Sequence, residues 1–540
     1  MRRSRFTLSI TLAASLAACL AFFTPAATAT SGPGGWNRLG TGATPNAPAI
    51  NAKVSALHAV GPVLYAGGDF TNAGNNANAD RIAKWNGTSW SALGAGLASG
   101  TVYAIAHYGN KIYAGGNFQD AGGNLDADNL AVFNGTSWAP FCDAPAHVGP
   151  AVNLGVTAIQ VIGTKMYVGG GFQNATGDAT ADYLLVCDLI TGLPSSTVNN
   201  DGDFTGGIYA LAADSNGVLY AGGVFANLDG ILAADRIASY DGTWHAVGNG
   251  VPGIVRALTT SGTNLYVGAD QQDIGGLPKA DRIAKWDSLA QTWSAMGSNT
   301  AGTDGWLPAS ASLNGMTTLG SLVFVTGNFS NANGSATADN VAYFDGTTWR
   351  PLGSNGAGNG PLNAVGYVAA VFLGQLYIGG NFTSAGGDPI AWFIASRSLR
   401  LPDGLITVNG VGPIVGNNIY NSTAVGQTSS TQIARGSNKL FIVYAQNDGT
   451  SAASFKLKGT GVAAGYTVSY FDVDNGNANI TTAVRNGTFT TGSIGPGSLF
   501  RITMRVALSL GAANTGNFYV IVSSTAGTPV DVIRGTVNAI

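Results

Sequence analysis

The seven-residue phrase LYAGGDF, Leu64 to Phe70, returns as IYAGGNF from Ile112, MYVGGGF from Met166, VLYAGGVF from Val218 and LYIGGNF from Leu376. Aligned on its aromatic, the phrase has seven copies, at Tyr65, Tyr113, Tyr167, Tyr220, Tyr266, Phe324 and Tyr377. The spacings are 48, 54, 53, 46, 58 and 53 residues. A second phrase, ADRIAxW, keeps step with it from Ala79 to Trp85 and again to Phe133, Cys187, Tyr240, Trp286 and Phe344, and the seventh copy is reduced to DPIAWF. Periods of this length mean one small supersecondary unit that buries its apolar faces against copies of itself.

Each unit reads as four short β segments: V-x-A-L, then L-Y-x-G-G, then R-I-A-x-W, then T-S-W-S-A-L-G. Asn-Gly or Asp-Gly at Asn86, Asn134, Asp241 and Asp345 joins the third segment to the fourth, a strong hairpin signal. No unit holds an amphipathic stretch of helical period, which excludes helical repeats. Four-stranded units repeated four to eight times describe a β-propeller. The seventh unit lacks its Trp-x-x-Leu-Gly segment, and such a segment stands alone at Trp36 to Gly40, ahead of the first unit. Lending it to the last unit closes a ring and removes exposed sheet edges. The Gly-Gly pair then marks a place where neighbouring backbones crowd and a Cβ would not fit.

Composition agrees. Charged residues are 10% against a usual quarter or so, and Gly accounts for 79 residues. All 28 acidic residues are Asp, a turn former, and none is Glu, a helix former. The net charge of -3 comes without basic clusters, so no nucleic-acid partner is expected.

The Gly-Gly pair after an aromatic strand, with an aromatic followed by Trp (Trp85 and Trp90, Phe133 and Trp138, Tyr240 and Trp244, Phe344 and Trp349), resembles kelch-type propellers of the galactose-oxidase-like class. The chain is still more similar to exported bacterial repeat proteins of the LYxGGxF…ADRIAxWNGTxW kind. The resemblance spans about residues 36 to 400. It implies a seven-bladed ring and a role as an adhesive or interaction platform, since fold alone does not bring an activity with it. The copper-radical set of galactose oxidase has no counterpart here, so oxidase activity is not carried over.

Beyond Arg400 to Gly404 the phrase stops, and residues 403–540 read as a second, β-sandwich domain resembling bacterial Ig-like modules. Phe500, Ile502, Met504 and Val506 alternate with polar residues as a half-buried strand, and similar segments run from Leu440, Ser454, Tyr466 and Phe518. Residues 1–29 read as a secretory signal: MRRSR, an apolar run from Phe6 to Phe23, and an A-x-A site at Ala27-Thr28-Ala29. A lipobox ending at Cys19 offers the alternative of a lipid anchor, though the apolar run continues past it. No later segment is long and apolar enough to span a membrane. The expectation is a secreted or cell-surface protein, with residues 30–402 as the propeller.

Without Glu, the H-E-x-x-H zinc motif and the terminal Glu of an EF-hand are impossible, and no cofactor or metal is expected. The repeated Asp80, Asp128, Asp182, Asp235, Asp281, Asp339 and Asp388 read as a structural bond to backbone N–H, since a functional site is usually unique and seven copies are not. Incomplete calcium-like patterns stand at Asn199 to Asp203 and Asp472 to Gly476. Cys142 and Cys187 either pair as a disulfide or leave Cys187 as a buried thiol in the slot that Trp85 fills elsewhere.

Binding groups are expected on the face carrying the long loops between second and third segments and between successive units. The most distinctive of these loops hold Asp143 and His147, Asp201 and Asp203, and Asp304 and Trp306, the last a flat face for a sugar or an aromatic partner, or a ring folded over its own loop. The leading expectation is an extracellular binding or adhesion module for glycan or protein, not an enzyme. A polysaccharide-active enzyme using Asp at the ring mouth, and a structural matrix or envelope protein, are the alternatives.

Overall fold

The computed structural model describes residues 36–145, 147–195, 204–399, 402–410, 412–416, 424, 426–447, 452–460, 463–495, 498–525 and 530–540. The signal segment, Cys19, Asp201 and Asp203 lie outside them. The described chain is all-β, built of antiparallel sheets, with one short helix at Thr481–Asn486 and five single turns of 3-10 helix. No helix among the described residues is long and apolar enough to cross a membrane.

Each repeat folds as its own antiparallel meander. The first consists of Val54–Val60, Val63–Gly68, Ile82–Trp85 and Trp90–Ala92, hydrogen-bonded in chain order. The third has three strands, its fourth segment being reduced to a bridge between Cys187 and Pro194. The seventh (Gly366–Phe372, Gln375–Gly380, Ile394–Ser398) takes its fourth strand from Trp36–Arg38, with Trp36 opposite Arg397 and Arg38 opposite Ala395. The N-terminal segment therefore does complete the last sheet. The first strand of every sheet packs on the first strand of the next, and that of the seventh packs on that of the first.

The double glycine has two separate jobs. A Cβ at the first, Gly67, Gly115, Gly169, Gly222 or Gly379, would strike Val102, Val156, Ile208, Val255 or Val54 of the following sheet. A Cβ at the second would strike a carbonyl of its own sheet, as Gly68 would strike Lys53 O. The sixth unit inverts the first contact. Thr326 replaces its glycine, and the partner that is Val, Ile or Leu elsewhere is Gly366, where a Cβ would strike Thr326.

Residues from 402 onward form two five-stranded sheets that share one apolar core, with Phe441 and Ile502 from one sheet facing Phe455 and Phe518 from the other. Thr428–Ile433 pairs in parallel with Val530–Ala539, and the remaining pairings are antiparallel. The strand expected around Phe500 to Val506 is Leu499–Leu508, with its apolar side chains inward.

Candidate functional site

The first strand of every unit is interrupted by a β-bulge at the same place. Its register against the second strand shifts between Val54 and Ala56, Val102 and Ala104, Val156 and Ala158, Ile208 and Ala210, Val255 and Ala257, Leu313 and Gly315, and Gly366 and Val368. The skipped residues are Ser55, Tyr103, Thr157, Tyr209, Arg256, Asn314 and Tyr367. A bulge frees one residue from the ladder and re-aims its side chain. In five units the flanking positions repeat as Val or Ile, then Ala, packing between sheets, while the sixth has Leu313 and Gly315 and the seventh Gly366 and Val368. The bulged position packs against nothing common to all units, and its residue type varies.

Side chains at this end of the first strands converge across sheet boundaries. Lys53 Nζ lies 5.9 Å from the ring centre of Tyr103 in the second unit and 5.7 Å from that of Tyr367 in the seventh. It also pairs with Asp69 at 3.3 Å. Asp69 accepts a hydrogen bond from Thr101 Oγ1, and its backbone carbonyl accepts one from Arg81. In the fifth unit Arg256 pairs with Asp270, which holds the place of Asp69. Thr157 donates to Ile208 O and Asn314 to Gly366 O (3.4 Å), stitching first strands together. Tyr209 is exposed, and the hydroxyls of Tyr103, Tyr209 and Tyr367 take no protein hydrogen bond among the described residues. The result is a patch of aromatic faces and fixed ion pairs where the first strands meet, on the long-loop face. The clue in the sequence was the x of V-x-A-L.

The loop residues singled out from sequence do not form one site. Asp143 and His147 meet each other, Oδ1 to Nδ1 at 2.7 Å, at the junction of the second and third units. Asp304 accepts from Asn299 and Thr303 within its own loop at the junction of the fifth and sixth. Trp306 corrects the expectation of an open platform: it is buried at 7% exposure and stacks on Trp349, ring centres 5.2 Å apart. Large apolar area is better removed from water, and the next unit's Trp supplied a surface on which to lay it.

The repeated Asp acts as read. In six units its Oδ1 accepts the backbone N–H eight residues earlier, from Asp80 holding Asn72 to Asp339 holding Asn331. The donor residue is in the left-handed region each time. Asp388 in the seventh bonds Ile390 N and pairs with Arg38 of the closing strand. In the calcium-like stretch, Asp472 accepts from Asn475, and Asp474 is paired with Arg501. The described residues contain no cluster of three or more metal-ligating side chains.

Cys142 and Cys187 are joined by a disulfide. The register shows what it replaces. Trp138-Ala-Pro-Phe-Cys142 aligns with Trp90-Ser-Ala-Leu-Gly94, so Cys142 holds the glycine place, with φ +62 beside +61 for Gly94. In other units a Cβ at that glycine would meet an aromatic of the next sheet: Gly40 with Trp85, Gly94 with Phe133, Gly248 with Trp286. The fourth-strand Trp completes those joints by donating to the carbonyl before the glycine: Trp36 to Leu352, Trp90 to Leu39, Trp138 to Leu93 and Trp349 to Met296. The third unit lacks both the aromatic and the Trp. A covalent bond occupies the same place.

A half-buried histidine pair bridges the first two units. His58 Nε2 and His107 Nδ1 are 2.8 Å apart. Burial, then the neighbouring His107, pushes the His58 imidazole down to about 4.

No family model matches the sequence, and no curated protein matches it. Among solved structures, the chain shows 10% identity with a FixG-related protein from Vibrio parahaemolyticus, over 26% of this chain and 98% of that one, at a TM-score of 0.16. A family 123 glycoside hydrolase from Clostridium perfringens is 8% identical over 21% and 23% of the respective chains, at 0.14. The VesB protease of Vibrio cholerae is 12% identical over 42% and 90%, at 0.15. Scores this low attach neither a fold name nor a family to the chain.

Proposed function

We propose that residues 36 to 399 form a seven-bladed, kelch-like β-propeller, followed by an Ig-like sandwich, in an exported bacterial protein. Its role is to bind glycan or protein at the long-loop face. Support for the ring comes from seven meander sheets, the cyclic succession of first-strand contacts, and the N-terminal strand completing the last sheet. The binding reading rests on one observation: the bulged position varies as Ser, Tyr, Thr, Tyr, Arg, Asn, Tyr, and Tyr103 and Tyr367 of separate units meet over Lys53. Half-buried tyrosine rings beside paired charges are a kind of surface that recognition uses.

The enzyme reading is less well supported, because the mouth carboxylates Asp69 and Asp270 are each already held by a cation. Arrays of glycans and of extracellular proteins, probed with the chain from residue 30, test the proposal. Tyr103→Ala with Tyr367→Ala should weaken the strongest ligand by roughly 30-fold, the scale of a binding hot spot, with the melting temperature kept. Unchanged affinity would remove the mouth from the account.

A further inference from the structure

Two clefts open at consecutive sheet junctions on the long-loop face, and the second borders the mouth, its Asn328 holding in the sixth unit the place of Asp69. The first, of about 470 Å³, lies between the fifth and sixth units, and the second, of about 450 Å³, between the sixth and seventh. Both fall in the size range of small-molecule sites, roughly 300–1,000 Å³. They are built alike. In each the repeated Asp ties down the loop that crosses the junction: Asp281 Oδ2 accepts Gly305 N at 2.9 Å, and Asp339 Oδ2 accepts Gly360 N at 3.0 Å.

The chemistry of the linings is also alike. The first presents Gln272, Asn299, Asn331 and Asn333, and the second Asn328, Asn340, Asn355 and Asn359. Several of these amides are anchored through their oxygens. Asn333 Oδ1 accepts Thr300 N, and Asn355 Oδ1 accepts Ala357 N. Gln272, Asn328, Asn331 and Asn359 are exposed, and their amides make no side-chain hydrogen bond among the described residues. Little apolar surface is open in either cleft: Leu307, Phe329 and Leu362 in the linings are 3%, 4% and 2% exposed, and Pro308 is half-buried. The carboxylates in the linings, Asp281, Asp304 and Asp339, already accept protein hydrogen bonds, and no lysine or arginine is present.

A carboxamide both donates and accepts, as a sugar hydroxyl does. A lining without cations gives no grip on phosphate or uronate. We infer that these clefts are tandem subsites for a neutral polysaccharide, one repeat of the ring apart, so that a single glycan chain engages both. The inference shares with the proposed function the premise of a binding face, but it uses different residues.

The test is affinity electrophoresis of the full mature chain through gels containing laminarin, galactomannan, dextran or, as the charged control, polygalacturonate. Retardation by at least one neutral polymer and none by polygalacturonate is expected. Gln272→Ala with Asn331→Gly, which keeps the left-handed backbone at 331, should weaken it about tenfold, the worth of two neutral hydrogen bonds. Asn328→Ala with Asn359→Ala should do the same, and all four together should abolish it, each with an unchanged melting temperature. Tyr103→Ala with Tyr367→Ala should leave this retardation intact. Full retardation of the fourfold variant, retardation only by polygalacturonate, or none by any neutral polymer would overturn the inference. Loss in the tyrosine variant alone would overturn it while leaving the mouth standing.

Discussion

At the scale of single residues, the repeat is a set of exclusions as much as a set of contacts. Thr326 and Gly366 show this, because a side chain missing on one sheet allows one on the next. Gly366→Val alone should destabilise by about 1–3 kcal/mol, the usual cost of overpacking. Adding Thr326→Gly restores the arrangement of the other junctions and should recover much of the loss, so a double-mutant cycle in urea should show coupling well above 0.5 kcal/mol. That swap could be read in the sequence once the units were aligned, since both departures sit at repeat positions. The histidine pair could not. His58 and His107 are one residue out of register in their strands, and only the stagger between neighbouring sheets brings the rings together. With His58 near 4 in the fold against 6.5 unfolded, the unfolded chain takes up the proton first as pH falls. Stability from the neutral ring is therefore present above about pH 6.5 and is lost progressively toward pH 4, by an amount on the order of 3 kcal/mol. Urea midpoints for the parent and for His58→Gln should converge across that window. Parallel pH profiles would refute the assignment.

At the scale of elements, two joints differ from the rest, and each has a specific weakness. The last sheet depends on three residues from the far end of the chain, with Trp36 fully buried at their start and its indole bonded to Leu352 O at 3.0 Å. Trp36→Ala should cost about 3–5 kcal/mol, as truncation of large buried aromatics does, and should raise amide exchange first in Ile394–Ser398, which loses its neighbour. Exchange confined to other strands would contradict the pairing. The second joint is covalent. Cys142 and Cys187 are 45 residues apart, and breaking the link should cost about 2–4 kcal/mol. Cys142→Gly with Cys187→Trp rewrites the junction toward the composition of its neighbours, and we expect it to regain part of that stability without a disulfide. A melting temperature equal to that of Cys187→Ala would show that the aromatic cannot seat there. The missing fourth strand was legible because its motif turned up elsewhere in the chain. The disulfide was not, because one cysteine sits at a glycine place and the other at an aromatic place, and nothing along the chain states that those two places touch.

At the scale of the whole molecule, seven nearly identical sheets leave few positions where difference can accumulate. Among those positions are the bulge on the first strand and the loops on the same face. The residues of the proposed mouth and the two amide-lined clefts both lie there. Removing the closing strand, by starting the chain after Gly40, should reduce binding at the mouth even though none of its residues touches the ligand, because Tyr367 belongs to the sheet that loses its edge. A truncated chain that bound as well as the parent would separate the site from the N-terminal strand.

The sequence by itself determined that the chain is all-β, that it repeats seven times, that a segment near its start completes its end, and that the recurring Asp is structural. Those are statements about period and pattern, which run along the chain and can be read there. Which loop tryptophan would be buried, which histidines would meet, and which variable residues would share a mouth were decided by the tertiary structure. The reason is physical: the repeat dictates contacts within a sheet, while the stagger and closeness of neighbouring sheets choose among side chains some 50 residues apart, as between His58 and His107.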